Sequence, residues 1–213
     1  MLAVELLREK IVNGEVAPGQ RFDVKRLASE FDMSITPVRE ALRILQADGL
    51  VSYDEHRSIS AMQLSEDDAK ELYLLRSTLE SMAAGMAAER WLPADEDKVR
   101  QAHAQMVKAV HDGDAAAASI ANRAWHFAVY NSARSHFIEP IISRLWSQFA
   151  WSTIWSVPGR LEDSLVEHEL ITAAYLARDP ELAATLMRKH VEGGQRAVIE
   201  HGENIARGAS GVV

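Results

Sequence analysis

Apolar residues recur along most of the chain at the three- and four-residue spacing of helices. Val38, Ala41, Leu42 and Leu45 fall at i, i+3, i+4 and i+7 and give one apolar face. Thr36 suits an N-cap and Pro37 the first helical position, where a missing N–H costs nothing. Gly49 stands where a left-handed residue ends a helix. Upstream, Leu2 to Asn13 is predicted as a helix with Leu6, Leu7 and Ile11 facing inward, ended by Gly14. Pro18-Gly19 marks a turn, and Asp23 caps a short helix to about Phe31. Leu50 to Tyr53 and Ser58 to Met62 alternate in part around the polar Asp54-Glu55-His56-Arg57, which predicts a two-stranded wing. The alternative there is an irregular linker. Three helices and a hairpin in this order make a winged helix-turn-helix over residues 1–63.

From Leu64 onward the pattern is helical throughout. Ser65 and Asp68 form a capping box that opens a long helix to about Trp91, closed by Leu92-Pro93. Further helices are predicted from about Ala94 to Val110, Ala115 to Asn131, Phe137 to Trp155, Leu161 to Ala177 and Glu181 to His201. Gly113, Pro140, Val157-Pro158-Gly159 and Asp179-Pro180 punctuate them. The expected fold is therefore mainly α: the winged helix-turn-helix, then an all-α bundle over 64–207. Residues 208–213 carry no pattern and are expected to form a flexible tail.

Composition narrows the setting. The 213 residues are 47% hydrophobic and 25% charged, enough for a core and a solvated surface. No stretch has the length and apolarity of a membrane span, and no signal-peptide pattern begins at Met1. Cysteine is absent, which excludes disulfides and thiolate chemistry and suits a cytoplasmic protein. The net charge is −8. Met1 to Met62 carries ten acidic and eight basic side chains, a net of −2, so no broad basic footprint is present. Contact with DNA would have to come from a local cluster drawn from Lys25, Arg26, Arg39, Arg43 and Arg57.

Arg39 and Arg43 lie four apart on one face of the third helix, with Ser34 and Thr36 at its start. A helix with one buried side and such residues on its first turns can enter a DNA major groove. By itself it is equally an ordinary amphipathic surface helix. The surrounding motifs are Gly-Glu-Val-Ala-Pro-Gly (Gly14 to Gly19), Thr-Pro-Val-Arg-Glu-Ala-Leu (Thr36 to Leu42), Gly-Leu-Val (Gly49 to Val51) and Glu-Leu-Tyr-Leu-Leu-Arg (Glu71 to Arg76). With them the chain resembles the GntR family of bacterial transcription regulators in its FadR-type branch, over nearly its whole length. The resemblance implies DNA contact by Lys25, Ser34, Thr36, Arg39, Arg43 and Arg57. Two positions depart from the family. Ile35 stands where an arginine is common, and Ser58 follows Arg57 where a glycine usually stands.

Asn122 and His126 are four apart and share a helix face, while His168 and His190 lie on later helices. Spacing alone reads these as ordinary core or surface histidines. The resemblance implies more, because the helical domain of FadR-type regulators often holds a divalent metal. Asn122, His126, His168 and His190 occupy the ligand positions, with Asn122 where an aspartate is commoner. An amide oxygen can still coordinate, though without a carboxylate's charge. The metal is expected to be zinc, nickel or manganese. His56, His103, His111, His136 and His201 have no such support. Arg76 pairs with Glu80 as an i,i+4 bridge, and by resemblance also faces the cavity and holds an effector carboxylate. Trp151 and Trp155 are expected in the core, the alternative being that they wall the cavity.

The leading reading is a regulator and not an enzyme. It would bind double-stranded operator DNA as a homodimer and be switched by a small carboxylate. The rival is a metal-dependent hydrolase built on the histidines. Against it, nothing supplies an obvious general base beside the site, since Glu167 and Glu169 are immediate helical neighbours of His168 and are expected to point elsewhere.

Overall fold

The structure, a computed structural model, describes residues 2–12, 15–54, 58–148 and 157–210. Helices α1 (Leu2–Val12), α2 (Val24–Glu30) and α3 (Ile35–Ala47) are followed by strands β1 (Val51–Tyr53) and β2 (Ile59–Ala61). Then come α4 (Glu66–Arg90), α5 (Pro93–His111), α6 (Ala115–Ser132), α7 (Ile138–Ser147), α8 (Arg160–Leu176) and α9 (Pro180–Ser210). The chain divides into two compact units. One comprises the described residues of Met1–Ala69 and Ser143–Ser152, the other those of Lys70–Ile142 and Thr153–Val213.

In the first unit the apolar face of α3 is buried as its spacing requires: Val38, Ala41, Leu42 and Leu45 are all in the core. They pack with Ala3 and Leu7 of α1, Leu27 and Ala28 of α2, and Leu50 and Val51. Leu6 and Ile11 are half-buried. Asp23 caps α2, its side chain accepting from the Lys25 and Arg26 amides. The start of α3 differs from expectation. Ser34 is the N-cap, so Thr36 and Pro37 lie inside the first turn. Pro37 is tolerated because the first four helical amides have no intrahelical acceptor anyway. Gly49 ends α3 with φ +79, a conformation open to glycine at little cost. The wing forms as an antiparallel pair with Val51 opposite Ala61, Ser52 opposite Ser60 and Tyr53 opposite Ile59.

The second unit is all helix among the described residues. At the head of α4, still within the first unit, the capping box forms: the Asp68 amide donates to Ser65 Oγ at 3.1 Å, and the Ser65 amide to Asp68 Oδ2 at 3.3 Å. The buried face of α4 is rich in small residues, Ala83, Ala84, Gly85, Ala87 and Ala88. A Cβ on Gly85 would stand 3.1 Å from the Pro180 carbonyl, so glycine there lets α9 approach closely. Two buried side-chain bonds tie α6 to α8: Trp125 Nε1 donates to Thr172 Oγ1 at 3.1 Å and Tyr175 Oη to Ser132 Oγ at 3.1 Å. Helix α9 runs to Ser210, three residues into the expected tail, because no proline interrupts it. Residues 211–213 and both Trp151 and Trp155 lie outside the described set.

Candidate metal centre and nucleic-acid interface

The first unit exposes Ser34, Thr36, Arg39 and Arg43 at the start and outer face of α3, with Lys25 exposed on α2. Arg43 Nη1 pairs with Glu40 Oε1 at 3.0 Å. Ile35, 41% exposed, places an apolar side chain among these groups. Arg57 and His56, the residues expected at the wing tip, fall outside the described set.

In the second unit, α6 carries Asn122 and His126, α8 carries His168 and α9 carries His190, and all four are buried. The three rings turn the same nitrogen inward. His190 Nε2 lies 3.2 Å from His126 Nε2 and 3.4 Å from His168 Nε2. Nitrogens held about 2.1 Å from one ion at tetrahedral angles stand about 3.4 Å apart, so this spacing fits a shared metal. Asn122 Oδ1 is buried with no hydrogen-bond partner among the described residues. Such an acceptor costs about 1–3 kcal/mol unless something satisfies it, and a cation would. The three histidines could therefore hold a metal ion.

Buried groups back these rings. Glu80 Oε2 accepts from the Tyr130 hydroxyl, whose oxygen lies 2.7 Å from His126 Nδ1. Arg76 Nε donates to Glu80 Oε1 at 2.8 Å, so the i,i+4 bridge forms, fully buried. Glu167 Oε2 lies 2.6 Å from His190 Nδ1 and 2.7 Å from Arg160 Nη2. Trp125 stacks on His168 with centroids 3.8 Å apart.

The expectation that Glu167 points away from the site is thus corrected. Glu167 does not share the direction of His168; it reaches His190 on the neighbouring helix. Tyr130, Arg160 and Trp125 escaped the sequence reading, and Glu80 was legible only as the partner of Arg76. Tyr130 left a usable signal, since 122, 126 and 130 share one helix face. Arg160 and Glu167 left none, because their partner belongs to another helix. Of the described histidines beyond the three, none joins the group.

Burial pushes His126 and His168 well below the ordinary imidazole pKa, and the neighbouring rings add to the effect. His190 is lowered less, burial being partly offset by its bond to Glu167. All three are therefore neutral at neutral pH, the form that binds metals. Below about pH 6.5 the unfolded chain takes up protons on these histidines that the folded one refuses. Stability of the metal-free protein is accordingly expected to fall as pH drops through that value. Thermal melts of the parent and of His126→Phe across this range should show a weaker acid slope in the variant.

Comparison with known proteins decides the family. Residues 3–60 match "Bacterial regulatory proteins, gntR family" and residues 71–193 match "FCD domain". The chain belongs to the GntR family of regulators that carry an FCD domain. One relative, the probable D-xylose utilization operon transcriptional repressor of Paenarthrobacter nicotinovorans, is 30% identical over 85% of this chain and 80% of its own. The HTH-type transcriptional repressor GlaR of Escherichia coli is 28% identical over 87% of this chain and 89% of its own. The solved structure of E. coli McbR/YncC shares the fold with a TM-score of 0.84 at 23% identity, covering 94% of this chain and 96% of that one. This GntR protein is a transcription regulator and not an enzyme, and its mainly α fold is that of the family. No described helix is long and apolar enough to cross a membrane.

Proposed function

We propose that this GntR regulator binds operator DNA as a homodimer and is switched by a small carboxylate metabolite bound at a metal centre. Residues 1–63 supply the DNA contacts, through Lys25, Ser34, Thr36, Arg39, Arg43 and Arg57, and residues 64–207 dimerise and sense. Two-fold symmetric regulators read palindromic operators, which fits one winged helix per half-site. The protein acts in the cytoplasm, where its operator lies.

The observation that carries the sensing half is the convergence of three neutral Nε2 atoms, with the buried, unpartnered Asn122 oxygen one helical turn before His126. Asn122, His126, His168 and His190 would hold zinc, nickel or manganese. Because every one of these ligands is neutral, a bound dication would offer its full charge to an anionic effector in a buried site. Arg76, buried and within electrostatic reach of His126, grips the far end of the effector, its fork suiting two-point contact with a carboxylate. An effector held by α4, α6, α8 and α9 at once favours one arrangement of these helices. That is the differential contact a switch requires.

The test is the metal content of the purified parent beside that of Asn122→Asp. A carboxylate at this position should tighten the metal by at least about tenfold, roughly 1.4 kcal/mol, and weaken binding of an anionic effector. Absence of metal from both proteins after supplementation with zinc, nickel and manganese would rule the centre out.

A further inference from the structure

We infer that Glu80, Tyr130 and Glu167 are positioning residues that preset the protons of His126 and His190, leaving His168 as the ring that must change to admit an ion. The inference rests on the proposed centre and concerns residues with no role assigned above.

The hydrogen bonds determine which nitrogen carries each proton. An ionised carboxylate can only accept, so Glu167 Oε2, 2.6 Å from His190 Nδ1, requires the proton on that nitrogen. Arg160 Nη2 is 3.3 Å from the same Nδ1, but both are donors and both are served by Glu167 Oε2. His190 Nε2 is then a bare lone pair. Tyr130 has one proton and donates it to Glu80, so at 2.7 Å its oxygen accepts from His126 Nδ1. His126 Nε2 is bare as well. Two such lone pairs face each other at 3.2 Å, an arrangement that an electrophile between them would relieve. Each acid is itself anchored by a buried arginine, Glu80 by Arg76 and Glu167 by Arg160. The two chains, Arg76 to Glu80 to Tyr130 to His126 and Arg160 to Glu167 to His190, come from different helices and end at one point.

His168 lacks this support. Its Nδ1 is buried with no hydrogen-bond partner among the described residues, and its Nε2 lies 3.4 Å from the bare His190 Nε2. A proton on His168 Nε2 satisfies both nitrogens, so the metal-free ring is the Nε2–H tautomer. To bind an ion the ring must give up that proton and gain one on Nδ1, by exchange with solvent, where no acceptor waits. Glu80, Tyr130 and Glu167 thus prepare two ligands, and the third carries a tautomeric cost.

Long-range proton–nitrogen spectra of the full-length, metal-free protein, recorded about 1.5 pH units above the ordinary histidine pKa, read the tautomers directly. The expected result is Nδ1–H at His126 and His190 and Nε2–H at His168, with His168 becoming Nδ1–H once zinc is added. Nε2–H at His126 or His190, or Nδ1–H at His168 before zinc, would overturn the inference. Zinc affinity by chelator competition is the second arm. Tyr130→Phe and Glu167→Ala should each weaken zinc by about 10–100-fold. Glu167→Gln, whose amide oxygen still accepts, should fall between Glu167→Ala and the parent. The exposed His111→Ala serves as the comparison and should match the parent. Zinc affinity within threefold of the parent for both Tyr130→Phe and Glu167→Ala would overturn the positioning role. Failure of the parent itself to bind zinc would instead remove the proposed centre, and the spectra would still decide the tautomers.

Discussion

His168→Ala is expected to lose metal binding by more than about 100-fold, beyond the range of supporting residues, because one of three imidazoles is deleted outright. The response of operator binding to the effector should disappear with it. His168 is fully buried and stacked on Trp125, so alanine also opens a cavity, at about 2–4 kcal/mol. His168→Gln keeps most of that volume without an imidazole and separates the two causes. If His168→Gln loses metal while its melting temperature stays near the parent's, the ligand and not the packing is responsible. Metal analysis and effector-dependent fluorescence anisotropy on labelled operator DNA give the two readings. A normal effector response in both variants would mean that the histidine group is structural.

Arg39→Ala should weaken operator binding by about 1–3 kcal/mol if the side chain reads a base, roughly a 5- to 150-fold loss. Its position favours it over Arg43. Both are exposed on α3, but Arg43 is tied to Glu40 whereas Arg39 lies one turn nearer the helix start. The helix start is the end that enters the groove in helix-turn-helix proteins. The measurement is anisotropy on a footprinted operator, with a scrambled duplex of equal length alongside. A base contact lowers affinity for the operator more than for the scrambled duplex, whereas a phosphate contact lowers both alike and reduces the salt dependence. Unchanged affinity in a folded variant would remove Arg39 from the interface.

The sequence by itself determined the local architecture, because helices and hairpins are set by interactions between residues close along the chain. Val38, Ala41, Leu42 and Leu45 announced the buried face of α3, Asp23 the cap of α2, and Ser65 with Asp68 the start of α4. The pairing of Arg76 with Glu80 was legible for the same reason, being one helical turn. Even here the first turn of α3 slipped by two residues, since Ser34 and Thr36 are chemically alike as caps and only the folded backbone chooses between them.

What lies between helices was decided by the tertiary structure. Family likeness pointed to Asn122, His126, His168 and His190, but their spacing along the chain carried no such information. Nothing local states that α6, α8 and α9 bring the Nε2 atoms of His126 and His168 within 3.4 Å of that of His190. Glu167 shows the reason most clearly. Adjacent residues on a helix point apart, and that rule correctly separated Glu167 from His168. It could not reveal that α9 would place His190 on the side Glu167 faces, at 2.6 Å. Helical periodicity determines which way a side chain leaves its own helix, and packing alone determines what it meets there.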